Sequence, residues 1–272
     1  MRSRHAPMRH AALVLALVLS ASSASGQIER QLWSLWTNHL AQTEASARVI
    51  EQCHAFEAAN RAVPLVNVAR GICAWHELRR GDHGAARLHY RKMESEVADP
   101  LPAAGNAMAL RWTTRMDLST VRGALQEYYK DKLEYPANLE TLAGYSPAGD
   151  FPAADRYGKP WLYLRMPMHR ARKITDQRYS ISSSAMRRTS DLNRELKQAY
   201  AHDFKPTFVK NLPSVGGPAF MRFVNAAGRE KRTHDLLFGK SDPKMPNVRL
   251  AYVGKAILVL SNGDYWFIVL RR

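Results

Sequence analysis

Cysteine is nearly missing from this chain: Cys53 and Cys73 are the only two in 272 residues. That excludes the cysteine-dense frameworks of small secreted domains and the paired C-x-x-C motifs of zinc ribbons. Acidic residues are scarce beside basic ones, 24 against 40, a net charge of +16. No apolar run approaches the ~20 residues that a membrane-crossing helix needs; the longest candidate, residues 11–19, is far too short. No phosphate-cradling G-x-x-x-x-G-K-[ST] loop, no G-x-S-x-G elbow and no H-E-x-x-H helix occurs, so the usual residues of nucleotide hydrolysis, serine hydrolysis and zinc proteolysis are absent. Nothing in the sequence gives a positive reason to read an enzyme, and no cofactor is expected.

What is present suits a folded protein. Hydrophobic residues make up 46% and charged residues 24%, ordinary values for a globular chain. Residues 1–26 read as a secretory signal peptide: Arg2, Arg4 and Arg9 precede the apolar stretch, and Ala24-Ser25-Gly26 offers small residues for cleavage before Gln27. The expected location is periplasmic or extracellular, with no transmembrane helix in the mature chain. Cleavage leaves 37 basic against 24 acidic residues, a net of +13. Such a charge favours anionic envelope surfaces, while the leader takes the protein away from nucleic acid.

Residues 27–98 read as three helices: one from Ile28 to near Asn60, a second from Leu65 to about Arg80, and a third from His83 to about Val97. The last two resemble one tetratricopeptide unit, with Gly71 and Leu78 on its first helix, Gly81-Asp82 at its turn, and Ala86 and Tyr90 on its second. The unit is open to two readings, a protein-binding module or a helical cap on the next domain. Cys53 and Cys73 lie symmetrically about the turn near Val63, so in an antiparallel helix pair they fall at equal height. In an exported protein this predicts a disulfide between them. His76, His83 and His89 lack the i, i+4 spacing of helical zinc sites, and no metal site is expected. Residues 98–105, ADPLPAAG, read as a linker.

Residues 106–204 carry the most particular pattern. Leu110, Thr114, Leu118, Val121, Leu125 and Tyr128 recur at helical spacing, and Pro136 bars the helix from restarting after Lys132. A short helix over Leu139 and Leu142, capped by Asn138, a turn at Gly158 and Pro160, and two strands at Trp161–Leu164 and Tyr179–Ser182 follow. A further helix, capped by Thr189 or Ser190, is expected over residues 186–202. The order resembles the globular domain of the major pseudopilin of type II secretion systems, the G subunit. The residues carrying that resemblance are Asp117, Ala124, Leu125, Tyr128, Asp131, Tyr135 and Pro136, then Asp155, Tyr157, Gly158, Pro160, Trp161 and Tyr163, with Tyr179 and Ser183 after them.

The resemblance implies a pilin-like long helix packed on a small antiparallel sheet, and a role in protein docking within a secretion or pilus-like machine. Two departures limit it. The family's apolar assembly stalk is replaced by NAMALRWTTRM, so filament formation is not implied. Its acidic calcium loop is replaced by SSAMRRTSDLNRE, which offers too few oxygen ligands for calcium.

From residue 215 the period changes to two. FMRFVN, a segment over Lys231–Phe238, VRLAYV, AILVLS and DYWFIVL read as five strands, with tight turns at Gly254-Lys255 and Asn262-Gly263. They predict a small β-barrel or sandwich domain over residues 215–272. The fold class expected for the whole is α+β. The function expected is non-enzymatic docking to secretion-machine or other envelope proteins; the alternative is binding of anionic lipid or cell-wall material through the basic surface.

Overall fold

The computed structural model describes residues 8–41, 46–146, 151–166, 178–186, 190–200, 205–208, 219–224, 230–236, 238–242 and 245–271. The architecture is α+β, as the sequence predicts: α1 (Met8–Ala41), α2 (Ser46–Ala59), α3 (Val66–Arg79), α4 (His83–Met93), α5 (Pro100–Lys132), a short 3-10 helix (Glu140–Tyr145), and α6 (Leu192–Lys197) accompany nine strands. No helix among the described residues is long and apolar enough to cross a membrane. The strands are β1 (Trp161–Arg165), β2 (Tyr179–Ser183), β3 (Lys205–Phe208), β4 (Ala219–Val224), β5 (Glu230–Leu236), β6 (Ser241–Asp242), β7 (Met245–Val253), β8 (Ile257–Ser261) and β9 (Trp266–Leu270).

The long first helix expected between Ile28 and Asn60 is two helices, α1 and α2. α1 also runs unbroken across Gly26-Gln27, the expected cleavage point, and among its described side chains full burial begins at Glu29. From Pro100 on, the linker expected at residues 98–105 is instead the start of α5. Pro100 occupies the start of that helix, where its missing N–H costs nothing. Leu101, Ala104 and Gly105 are buried, with Gly105 lying close against Asn67 and Met93. α5 ends where expected, at Lys132, through Leu133 in the left-handed conformation (φ 55°). The short helix after it is 3-10, with Leu139 rather than Asn138 at its cap position and no side-chain cap. The helix expected over residues 186–202 is only the six residues of α6. Its cap is Asp191, whose carboxylate accepts from the Arg194 N–H; Ser190 accepts from Arg115 instead, and Thr189 lies outside the described residues.

Two cores hold the fold together. The larger draws on α1 to α6 and on β7 to β9, with Trp75, Trp112, Trp266 and Tyr90 fully buried. The last sheet therefore shares its core with the N-terminal helices. All of β8 and four of the five residues of β9 are buried, as strands covered on both faces must be. The seven strands from β3 to β9 form two open sheets, β3-β4-β5 and β6-β7-β8-β9, joined antiparallel within each. β3 lies beside β9 and β5 beside β6, so the seven strands follow one another around a barrel-like ring with two seams.

Three contacts tie the sheet to the helices. Glu29 of α1 is fully buried, and its carboxylate accepts from the backbone N–H groups of Lys255, Ala256 and Ile257 and from the Tyr252 hydroxyl. Asp264, at the β8–β9 turn, is gripped by Arg111 at 2.7 and 2.8 Å and by Arg115 at 2.7 Å. Burial pushes the Asp264 carboxyl up, but Arg115 and Arg111 outweigh it and hold it below the usual carboxylate range. Gly71 in α3 leaves room for the Trp266 indole, whose Nε1 would sit 2.5 Å from an added Cβ. The tetratricopeptide-like glycine thus serves an approach of the C-terminal sheet, rather than the close helix pairing that its motif suggests.

Candidate functional site

The pseudopilin-like residues converge on the second core. Leu118, Val121, Ala124 and Leu125 of α5 pack with Leu142, Trp161 and Ile181, and Tyr128, Tyr135, Tyr163 and Tyr179 close its edge. β1 and β2 pair antiparallel, Trp161 opposite Ser183 through Arg165 opposite Tyr179. Period-two alternation sends Trp161, Tyr163, Ile181 and Ser183 inward. It sends Leu162 and Leu164 outward, 55% and 67% exposed.

Asp155 organises the turn before β1. One of its carboxylate oxygens accepts from the N–H groups of Tyr157 and Lys159, and the other accepts from the Ser183 hydroxyl at 2.5 Å. Gly158 supplies the positive φ (70°) that this loop requires. The Trp161 indole donates to the Pro152 carbonyl, and the Tyr163 hydroxyl to that of Pro136. Asp117, buried in α5, is paired with Arg156 at 2.6 Å and with Arg87 of α4 at 2.6 Å. Asp131 accepts from Tyr145, and Tyr135 stacks on Tyr129. The structure therefore brings the motif residues into one unit and gives most of them a packing or hydrogen-bonding task. Asp191, just before α6, is paired with Arg122.

A second constellation lies among α2, α3 and α4. Cys53 and Cys73 are both free and buried, so the expected disulfide is not formed. The helix pairing that motivated it is nevertheless present, α2 packing against α3. The neighbouring Cys53, and after it His89 and His54, hold the Cys73 thiol well below its ordinary range, whereas burial raises Cys53. The Cys73 Sγ lies 3.3 Å from His89 Nε2, which lies 3.4 Å from His54 Nε2. Glu77, one turn after Cys73, completes a group of four ligand atoms that all lie within 4.8 Å of one another.

Of the three histidines weighed together in the sequence, only His89 belongs to this group. His83 is exposed at the start of α4, and His76 points into a different network. His54 was missed because it stands on another helix, at no regular spacing from His89. The one local signal was Cys73 and Glu77 at i, i+4.

That other network runs from Ser46 Oγ to His76 Nδ1 at 3.0 Å and from His76 Nε2 to His39 Nδ1 at 2.9 Å. A hydroxyl, an imidazole and an orienting partner stand in line, as in a nucleophile relay. Here, however, both histidines are sealed at 0% exposure beneath Trp36, Trp75 and Tyr200. Burial lowers the His76 pKa to about 4 and His39 well below its ordinary value, so both are neutral packing groups at pH 7. A groove of 310 Å³ between α1 and α2 is lined by Ser34, Asn38, Gln52 and Phe56 and does not reach this chain. No protein-family model matches the sequence, and no curated protein or solved structure matches it.

Proposed function

We propose that the protein acts by docking rather than by catalysis, and that its pseudopilin-like unit binds a protein of a type II secretion or related pilus-like machine in the cell envelope. One observation carries the reading: the outward face of β1 presents Leu162 and Leu164 to solvent on a sheet of only two strands. A two-stranded sheet leaves backbone donors and acceptors along its edges, and an apolar outer face adds affinity for a strand or helix laid against it. The N-terminal half of α5 supports a soluble role. In the family this stretch of helix would lead into the assembly stalk, whereas here Leu101, Met108, Trp112 and Met116 are buried in the protein's own core.

Affinity capture with residues 27–272 from envelope extract, at low and high salt, tests this. Secretion-machine components should be recovered at both salts by the parent chain and lost by the Leu162→Asp, Leu164→Asp double variant. The net charge of +13 on residues 27–272 favours a second reading, binding to anionic lipid or wall material. Recovery of only such material, lost at high salt, would replace the docking reading.

A further inference from the structure

We propose that His54, Cys73, Glu77 and His89 form a binding site for one tetrahedral divalent transition-metal ion of the zinc type. The four ligands come from three helices: His54 from α2, Cys73 and Glu77 one turn apart on α3, and His89 from α4. With zinc bonds of about 2.3 Å to sulfur and about 2.0–2.1 Å to nitrogen, the edges of a tetrahedral site are roughly 3.3–3.6 Å. The sulfur-to-nitrogen separation of 3.3 Å and the nitrogen-to-nitrogen separation of 3.4 Å already have those lengths. The Glu77 carboxylate and the other atoms need close by no more than about 1.5 Å from their 4.8 Å limit.

The arrangement fits a cation better than a hydrogen-bonded cluster. An imidazole Nε2 offers one hydrogen or one in-plane lone pair, yet His89 Nε2 faces both a sulfur and a second Nε2 at nearly equal distance. A metal ion placed among them accepts a lone pair from each. The donor set selects the ion. One thiolate and two imidazoles exclude calcium and magnesium, which take oxygen ligands, and a single carboxylate with mixed nitrogen and sulfur suits zinc. One thiolate and one carboxylate also neutralise the ion's double charge, which matters because Cys73, Glu77 and His89 are buried. Four protein ligands leave no open position, so the site staples α2 and α4 to α3 and has no catalytic water. His89 Nδ1 has no hydrogen-bond partner to orient it, which places the affinity below that of a site with every ligand braced.

Cobalt(II) is the probe. Titrated into the reduced full chain, it should bind at one ion per chain, with a thiolate-to-cobalt charge-transfer band and the intense visible bands of tetrahedral cobalt, and zinc should displace it. Cys73→Ser should abolish the charge-transfer band. His54→Ala changes only an exposed side chain and should weaken cobalt binding by at least roughly tenfold. His83→Ala, at an exposed histidine outside the cluster, should change nothing. Zinc should raise the thermal midpoint of the parent and not that of His54→Ala. The absence of a charge-transfer band in the reduced parent, its survival in Cys73→Ser, or equal cobalt affinity in His54→Ala would each overturn the proposal.

Discussion

Substituting alanine for glycine at two positions inside helices should have opposite effects. In a helix interior, replacing glycine by alanine stabilises by about 1 kcal/mol, because glycine has more backbone freedom to lose. Gly123 of α5 has nothing within 4 Å of where its Cβ would lie. Gly123→Ala should therefore show the full gain, a rise in thermal midpoint of about 2–4 °C for a chain of this size. At Gly71 of α3 the same atom would meet Trp266 Nε1 at 2.5 Å, Trp266 Cδ1 at 2.8 Å and Met108 Sδ at 3.2 Å. The indole is fully buried in the core, and its backbone N–H is fixed to the Tyr200 hydroxyl, so it has little freedom to retreat. Overpacking of this kind costs about 1–3 kcal/mol, and the tightness of two contacts places Gly71 at the upper end. After the helix gain is subtracted, Gly71→Ala should lose about 2 kcal/mol, a fall of roughly 4–8 °C. Thermal melts of the parent and both variants decide it. A Gly71→Ala midpoint at or above the parent would refute the placement of β9 on α3.

Three further outcomes follow from buried polar groups. Glu29→Ala should cost about 3 kcal/mol, measured by urea unfolding, because it leaves three backbone N–H groups at the β7–β8 turn without their acceptor; an effect below ~1 kcal/mol would show that α1 does not close on the sheet. Asp264→Ala should cost about 3–5 kcal/mol, since Arg115, 3% exposed, then keeps a charge without its counter-ion. Stability should also fall with acid. His76 is neutral in the fold because burial, and after it Arg79, lowers its pKa to about 4, whereas the unfolded chain takes up the proton below about pH 6.5. The contribution is complete above pH 6.5 and is lost between there and pH 4, about 3 kcal/mol in all. The His76→Gln variant should show a correspondingly flatter dependence of the urea midpoint on pH over that window.

The parts of the fold legible in the sequence are those made by near neighbours. The end of α5, the Gly158 turn, the β1–β2 pair and the Asn262-Gly263 hairpin each rest on contacts within a few dozen residues, where glycine, proline and period-two patterns act directly. Pro100 and Pro102 misled because proline at a helix start favours the helix that it would break elsewhere. Long-range packing left little local trace. Glu29 meets the β7–β8 turn across more than two hundred residues, and nothing near Gly71 announces Trp266. The His54, Cys73, Glu77 and His89 cluster was hidden for the same reason: three helices supply it, and only the Cys73 and Glu77 pair has a helical spacing.

The docking claim is tested most directly by a photo-activated cross-linking amino acid placed at position 164 on the outer face of β1, with position 88 on α4, also an exposed leucine, as the control. Illuminated in the intact envelope, the chain carrying it at 164 should form a discrete adduct with a secretion or pilus-machine protein, and the chain carrying it at 88 should not. No protein adduct from position 164, or the same adducts from both positions, would contradict the account.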